Sequence, residues 1–148
     1  ADQWWLRFAS IEKMTFTETC KAIIDTRAAW PRVRRILVED KANGPAIIDH
    51  LTTSLGIGGI EPIETGVDSK AARFHAVTHF FREKRVNVPM IGSQPWVGEY
   101  VYQITKFPRI SRNDAVDMTS QALSYLGPTS HELKLLAMAA KFQRTQGR

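Results

Sequence analysis

The sequence predicts an α/β fold in which a partly parallel sheet is flanked by helices. Short β-branched and aromatic runs alternate with longer segments whose apolar residues recur at helical spacing. Of the 148 residues, 43% are apolar and 24% are charged. This composition is that of an ordinary globular domain and excludes a mainly disordered or fibrous chain. No apolar run is long enough to cross a bilayer.

The chain begins with an aromatic, β-prone run at 3–11 (QWWLRFASI), for which we expect a strand. Because this strand starts almost at residue 1, we expect the chain to be a piece of a longer protein. Thr15 and Glu18 form a capping-box pattern that opens the first helix, and Trp30-Pro31 ends it.

The middle of the chain predicts a strand, a helix and a second strand. The run at 33–38 (VRRILV) is typical of a strand buried on both faces. Asn43 is the expected N-cap of the next helix, with proline in its first turn and Gly56 beyond its end. The segment 60–64 (IEPIE) predicts a short strand near a sheet edge.

Four more elements and a tail follow. Ser69 caps a predicted helix to about residue 83, whose expected inward residues are Ala72, Ala76, Val77, Phe80 and Phe81. A short strand is expected at 86–88 and a helix from Pro95 to Phe107-Pro108. Ser111 or Asn113 caps a helix to about residue 126, and a last amphipathic helix is expected at 130–142, followed by a basic tail. These elements divide the chain into a domain at 1–128 and a C-terminal helix and tail at 129–148.

The charge balance is basic. There are 20 Lys and Arg against 15 Asp and Glu, a formal charge of +5, with a pI near 9.6. A basic domain attracts polyanions such as DNA by releasing counterions, although many soluble domains carry such an excess without binding nucleic acid. Cys20 is the single cysteine, so an intrachain disulfide and a cysteine-based zinc site are excluded.

Acidic residues occur at two positions that are typical of catalytic sites, the end of a strand and the start of a helix. Glu39, followed by Asp40, ends the apolar strand, and ligand sites in open α/β sheets lie beyond the carboxyl ends of strands. Asp114 and Asp117 lie three residues apart, which places them on one face of a helix. The alternatives are that Glu39 merely marks the exit into solvent and that the two aspartates only complement the helix dipole.

Together these acids predict a nuclease that binds Mg²⁺ or Mn²⁺ through oxygen ligands. Nearby cations could hold the phosphate backbone, or could be ordinary surface charges: Lys41, Lys70, Arg73, Arg109 and Arg112. The motifs of a zinc protease and of a phosphate-binding loop are both incomplete in this sequence. The pair His75 and His79 lacks the glutamate of a zinc protease motif, and GIGGI at 56–60 lacks the lysine of a phosphate-binding loop, which favours a turn.

Three segments resemble the nuclease domain of phage terminase large subunits. They are ILVEDKANGPAIIDHL at 36–51, SKAARFHAVTHFFREKRVNVP at 69–89 and FPRISRNDAVDMTSQAL at 107–123, the last similar to that family's FPNGxHDDxVDAxxQAL. The resemblance covers roughly residues 1–126 in the family's order and leaves out the final helix and tail.

The resemblance implies an RNase H-like fold, two-metal cleavage of concatemeric viral DNA, and the host cytoplasm as location. It assigns Glu39, Asp114 and Asp117 as catalytic metal ligands for Mg²⁺ or Mn²⁺. It implies double-stranded DNA, an ATPase domain, a small terminase subunit and a portal as partners. The expected DNA-binding residues are Lys41, Lys70, Arg73 and Arg112.

The sequence departs from the family at two points. Arg112-Asn113-Asp114 stands where the family has His-Asp-Asp, so one carboxylate is replaced by the Asn113 amide. The family's first catalytic aspartate lies on a strand upstream of residue 3, so we expect weak metal binding and poor cleavage. Two alternatives remain: another RNase H-like nuclease of the resolvase or transposase type, and a non-catalytic DNA-binding or assembly module.

Overall fold

A computed structural model describes residues 2–127. Its helices and strands form a mixed α/β structure, as the sequence predicts. The predicted helix and tail at 129–148 lie outside the described residues. In chain order the elements are β1 (Trp4–Trp5), α1 (Phe16–Ala29), β2 (Ile36–Glu39), α2 (Gly44–Asp49), a π-helical continuation (His50–Ser54), β3 (Ile60–Ile63), α3 (Lys70–Arg82), β4 (Val86–Asn87), α4 (Val97–Lys106) and α5 (Asp114–Leu126).

The chain forms two compact units. The terminal unit contains the chain up to Ile11 and again from Ser69, and the inserted unit is Glu12–Asp68. Each unit has its own parallel strand pair, β1 with β4 in the terminal unit and β2 with β3 in the inserted unit. Within residues 2–127 the strands therefore form two pairs rather than the single flanked sheet that the sequence predicts.

The inserted unit packs α1 and α2 around a small apolar cluster of Cys20, Ile47 and Leu51. The predicted capping box opens α1. Thr15 donates to the Glu18 carboxylate from its backbone N–H and from its hydroxyl, each at 2.8 Å. The backbone bond, followed by the hydroxyl bond, lowers the pKa of Glu18.

Three expectations for the inserted unit are corrected. The strand β2 is half-buried along its length rather than buried on both faces. Asn43 occupies the N-cap position of α2, but its side chain makes no capping hydrogen bond. Gly56 follows the π-helical continuation with φ of 63°, as expected of a residue that ends a helix. Gly59 also has positive φ, at 82°. The GIGGI segment is not the expected turn but an irregular connection whose last residue begins β3.

In the terminal unit, α3 packs on α5 through a core of buried apolar residues: Phe74, Val77, Phe80, Val116 and Leu123. The predicted inward face of α3 is partly wrong, because Ala72 and Ala76 are exposed and Phe74 is buried instead. The bulky ring of Phe74 reaches Phe107, at 5.7 Å between ring centroids. The buried face of α3 therefore runs through Phe74, Val77 and Phe80.

The first strand is shorter than predicted. Of the run at 3–11, only Trp4–Trp5 is a strand. The backbone N–H groups of Trp4 and Leu6 donate to the carbonyls of Arg85 and Asn87 at 2.8 and 2.9 Å. The partner strand β4 is also only two residues long. The Arg85 guanidinium carbon lies 4.3 Å from the centroid of the Trp4 ring, and this cation–π contact stabilises β1 against the core.

Gly44 fixes the junction between β2 and α2. A Cβ atom at this position would lie 1.8 Å from the Glu39 carbonyl oxygen, so the helix can begin against the end of the strand only with glycine. We predict that Gly44→Ala lowers the free energy of unfolding by about 3 kcal/mol, because a backbone clash cannot relax through a side-chain rotation. Denaturant unfolding measures this loss.

The matched control is Gly58→Ala. A Cβ atom at Gly58 has no neighbour within 4 Å and its φ is not positive, so the unfolding free energy should change by less than about 1 kcal/mol. Equal losses in the two variants would contradict the role given to the Gly44 contact.

Candidate functional site

The first turn of α5 carries two of the three predicted metal ligands. Asp114 is its first residue and is exposed, while Asp117 is one turn further along and half-buried. The side chain of Asp117 is 24% exposed. The predicted pairing of these carboxylates on one helix is therefore confirmed, but their surroundings differ.

The carboxylate of Asp117 binds two cations of α3. Its Oδ1 accepts a hydrogen bond from an Arg73 guanidinium nitrogen at 2.7 Å, and its Oδ2 forms an ion pair with the Lys70 ammonium. Lys70 also donates to Oδ1 of Asn113. Two predicted DNA-binding residues thus neutralise a predicted metal ligand.

The direction of α3 and α5 brings these groups together. Lys70 and Asn113 meet where the two helices begin, and Gly127 lies against Phe80 where they end, so the helices run in the same direction. The amino ends of both helices consequently lie at one end of the terminal unit. Helix amino ends carry partial positive charge, which adds to that of Lys70 and Arg73 and is offset by the Asp114 and Asp117 carboxylates.

Local sequence explains how α3 presents its cations. The Ser69 hydroxyl caps the helix by accepting from the Ala72 N–H at 3.2 Å, as the sequence predicts. Lys70 and Arg73 are three residues apart and share the polar side of the first turn. The next residue, Phe74, is buried in the core, so the cations lie at its edge, with side chains 29% and 20% exposed.

A buried amide positions the start of α5. The N-cap residue Asn113 makes no side-chain capping bond, since its amide oxygen is held by Lys70. The acceptor comes instead from Gln103 of α4, which is fully buried. Its Oε1 accepts a hydrogen bond from the Ala115 N–H at 3.0 Å. Its Nε2 donates to the Glu99 carboxylate at 2.7 Å.

Sequence reasoning missed Gln103. The signal was available, because Gln103 lies three residues after Tyr100 on the apolar side of α4, where a polar residue needs a partner. Tyr100 itself meets Thr119 of α5 at 2.9 Å between the two hydroxyl oxygens, and burial raises its pKa. Two buried hydrogen bonds therefore join α4 to α5, one between side chains and one from the Ala115 backbone to the Gln103 side chain.

The third predicted ligand belongs to the inserted unit. Glu39 is the last residue of β2, as predicted, and is half-buried. Asp40 and Lys41 follow it and are exposed, and the Asp40 N–H donates to the Ile63 carbonyl at 2.9 Å. The convergence of Glu39 with Asp114 and Asp117 joins residues of different units and stays a prediction.

The other candidate residues have structural partners or lie on the surface. Arg112 is exposed and donates to the Ile11 carbonyl. His75 is exposed, and His79 is half-buried with Nδ1 at 2.9 Å from the Ala76 carbonyl oxygen. Within residues 2–127, no group of three or more His, Cys, Asp or Glu side chains is arranged to hold a metal ion.

Comparison of the chain with protein-family models, with curated proteins and with solved structures gives no match. Among the residues that the structure describes, none of the helices combines the length and apolar character needed to span a membrane.

We predict that Gln103→Met lowers the free energy of unfolding by about 1–3 kcal/mol, because it leaves the buried Ala115 N–H without an acceptor. Thermal and denaturant unfolding measure the loss. The same substitution at exposed Gln94 is the control and should change stability by less than about 0.5 kcal/mol. A neutral Gln103→Met would show that the amide does not hold α5.

The two aspartates of α5 should differ in their effect on stability. Asp117→Asn leaves Lys70 and Arg73 facing a neutral group, and we expect a loss of about 1–3 kcal/mol of unfolding free energy. Asp114→Asn removes only a favourable dipole interaction at an exposed position, which is worth about 0.5 kcal/mol. Denaturation of both variants at low and high salt tests this order, and equal losses would contradict it.

Proposed function

We propose that this chain is the nuclease domain of a phage terminase large subunit, a metal-dependent endodeoxyribonuclease with an RNase H-like fold. The order of the segments 36–51, 69–89 and 107–123 supports the family. The structural observation that carries the proposal is the shared amino end of α3 and α5, where the Asp117 carboxylate pairs with Lys70 and Arg73 and Asp114 lies in the same helical turn.

The proposed substrate is double-stranded DNA, held through its phosphates. The formal charge of +5 favours a polyanion. Two helix amino ends, Lys70 and Arg73 offer donors for phosphate at one end of the terminal unit, and phosphate has to compete there with the Asp117 carboxylate. Contacts to phosphate carry no base information, so cleavage without sequence preference is expected. The ATPase domain, small subunit and portal of a packaging assembly are proposed partners on the resemblance alone.

The oxygen donors of α5 are of the type that Mg²⁺ or Mn²⁺ prefers. The oxygens of Asn113 and Asp117 already hold a cation, the Lys70 ammonium, so they suit a positive charge. Asp114 and Glu39 are the further proposed ligands. When bound, the ions would activate water and stabilise the departing 3′ oxygen.

The same contacts support low metal affinity. A divalent ion at Asp117 has to displace Lys70 and compete with Arg73, and Asn113 offers an oxygen without charge. In the absence of metal, Lys70 and Arg73 therefore hold the Asp117 carboxylate in place and neutralise its charge. We propose weak metal binding and slow cleavage.

A second candidate function is a non-catalytic DNA-binding or assembly module. The observation that favours it is the full engagement of the Asp117 carboxylate, which has one cation on each oxygen. In such a module the aspartate serves only to position Lys70 and Arg73 for phosphate.

A plasmid assay tests the nuclease proposal. With millimolar Mn²⁺ we expect slow nicking of supercoiled DNA that chelation abolishes. Asp114→Asn and Glu39→Gln should each reduce it roughly 100-fold or more, because each removes a charged ligand. Asp25→Asn, which changes an exposed acid on α1, is the matched control and should leave the rate unchanged.

Calorimetric titration with Mn²⁺ separates the two candidates. Weak binding that requires Asp114 supports the nuclease. DNA binding without any Mn²⁺ binding or cleavage would instead support the module. Cleavage that survives both Asp114→Asn and Glu39→Gln would show that the ligands have been wrongly assigned.

A further inference from the structure

An open apolar groove of about 440 Å³ lies on the terminal unit, along β1 and the part of α5 from Met118 to Leu126. One wall is formed by Trp4, Trp5 and Leu6, and the other includes Met118 and Leu126. No charged residue of the described chain lines it.

The groove leaves large apolar side chains in contact with solvent. Trp5 is 66% exposed, Leu126 is 53% exposed and Met118 is 38% exposed. A contiguous exposed apolar surface of this kind marks a place where another segment or molecule packs. The uncharged lining favours an apolar occupant.

The path of the chain brings one occupant directly to the groove. The described residues end at Gly127, immediately after Leu126. A Cβ atom at Gly127 would lie 2.7 Å from the Phe80 ring, so the chain leaves α5 in close contact with that ring. Phe80 packs edge-on against Trp4, at 4.6 Å between ring centroids. The segment 128–148 therefore starts beside the groove wall.

The sequence of this segment suits the groove. Leu133, Leu136, Ala137 and Ala140 recur at the spacing of one helix face, and Lys134 and Lys141 lie at its edge, beside Ala137. A helix over 130–142 would be about 20 Å long. We propose that segment 128–148 folds back as an amphipathic helix and covers the groove between β1 and α5. Its short connection gives an effective concentration of roughly millimolar, which favours it over a separate molecule.

Paramagnetic relaxation in the full chain tests this docking. Cys20→Ser removes the one native thiol, and Gln143→Cys accepts a nitroxide label. We expect the label to broaden the NMR signals of the Trp5 indole and the Met118 methyl group. Adding Leu136→Asp should abolish the broadening and speed amide exchange over 118–126 roughly tenfold, because a buried leucine is lost from the groove.

Lys134→Gln is the matched control, since it changes the formal charge by the same amount as Leu136→Asp, and it should leave the broadening intact. Absence of broadening in the labelled chain overturns the proposal. Broadening that appears only when labelled chains are mixed with isotope-enriched unlabelled chains would also overturn it, because the occupant would then be a second copy.

Discussion

The apolar seam between α3 and α5 determines the arrangement of the terminal unit. Phe74, Val77 and Phe80 bury one face of α3 against Val116 and Leu123 of α5. Burial of such side chains contributes about 1.5–3 kcal/mol each, so the five together outweigh the about 1–3 kcal/mol expected for the Asp117 pairs. The seam therefore fixes the common direction of the helices, and the polar contacts at their amino ends follow from it.

This direction has an electrostatic consequence. Two helix amino ends, Lys70 and Arg73 place positive charge in a small region, and Asp117 supplies the opposing charge at its centre. The interaction that stabilises the helix pair also occupies the carboxylate that a metal ion would need. Stability without metal and affinity for metal are thus opposed at one side chain, which is the physical reason to propose weak metal binding.

Two uncharged residues, Gln103 and Gly44, determine where the helices next to the candidate ligands begin. Gln103 supplies the acceptor that the N-cap residue of α5 lacks and joins α4 to the helix that carries Asp114. In the inserted unit, Gly44 lets α2 begin against the Glu39 carbonyl. Gln103 binds the backbone N–H that follows Asp114, and Gly44 lies against the backbone carbonyl of Glu39.

Local sequence patterns predict the features that depend on neighbouring residues. The Thr15 and Ser69 caps and the position of Glu39 at the end of β2 were predictable, because capping and strand punctuation act locally. Tertiary structure alone decided that Phe74 is buried and that the strands form two separate pairs. It also decided that Asp117 meets Arg73, 44 residues away in the chain. Such contacts depend on how whole helices rotate to bury their largest side chains, and a local pattern does not fix that rotation to within one residue.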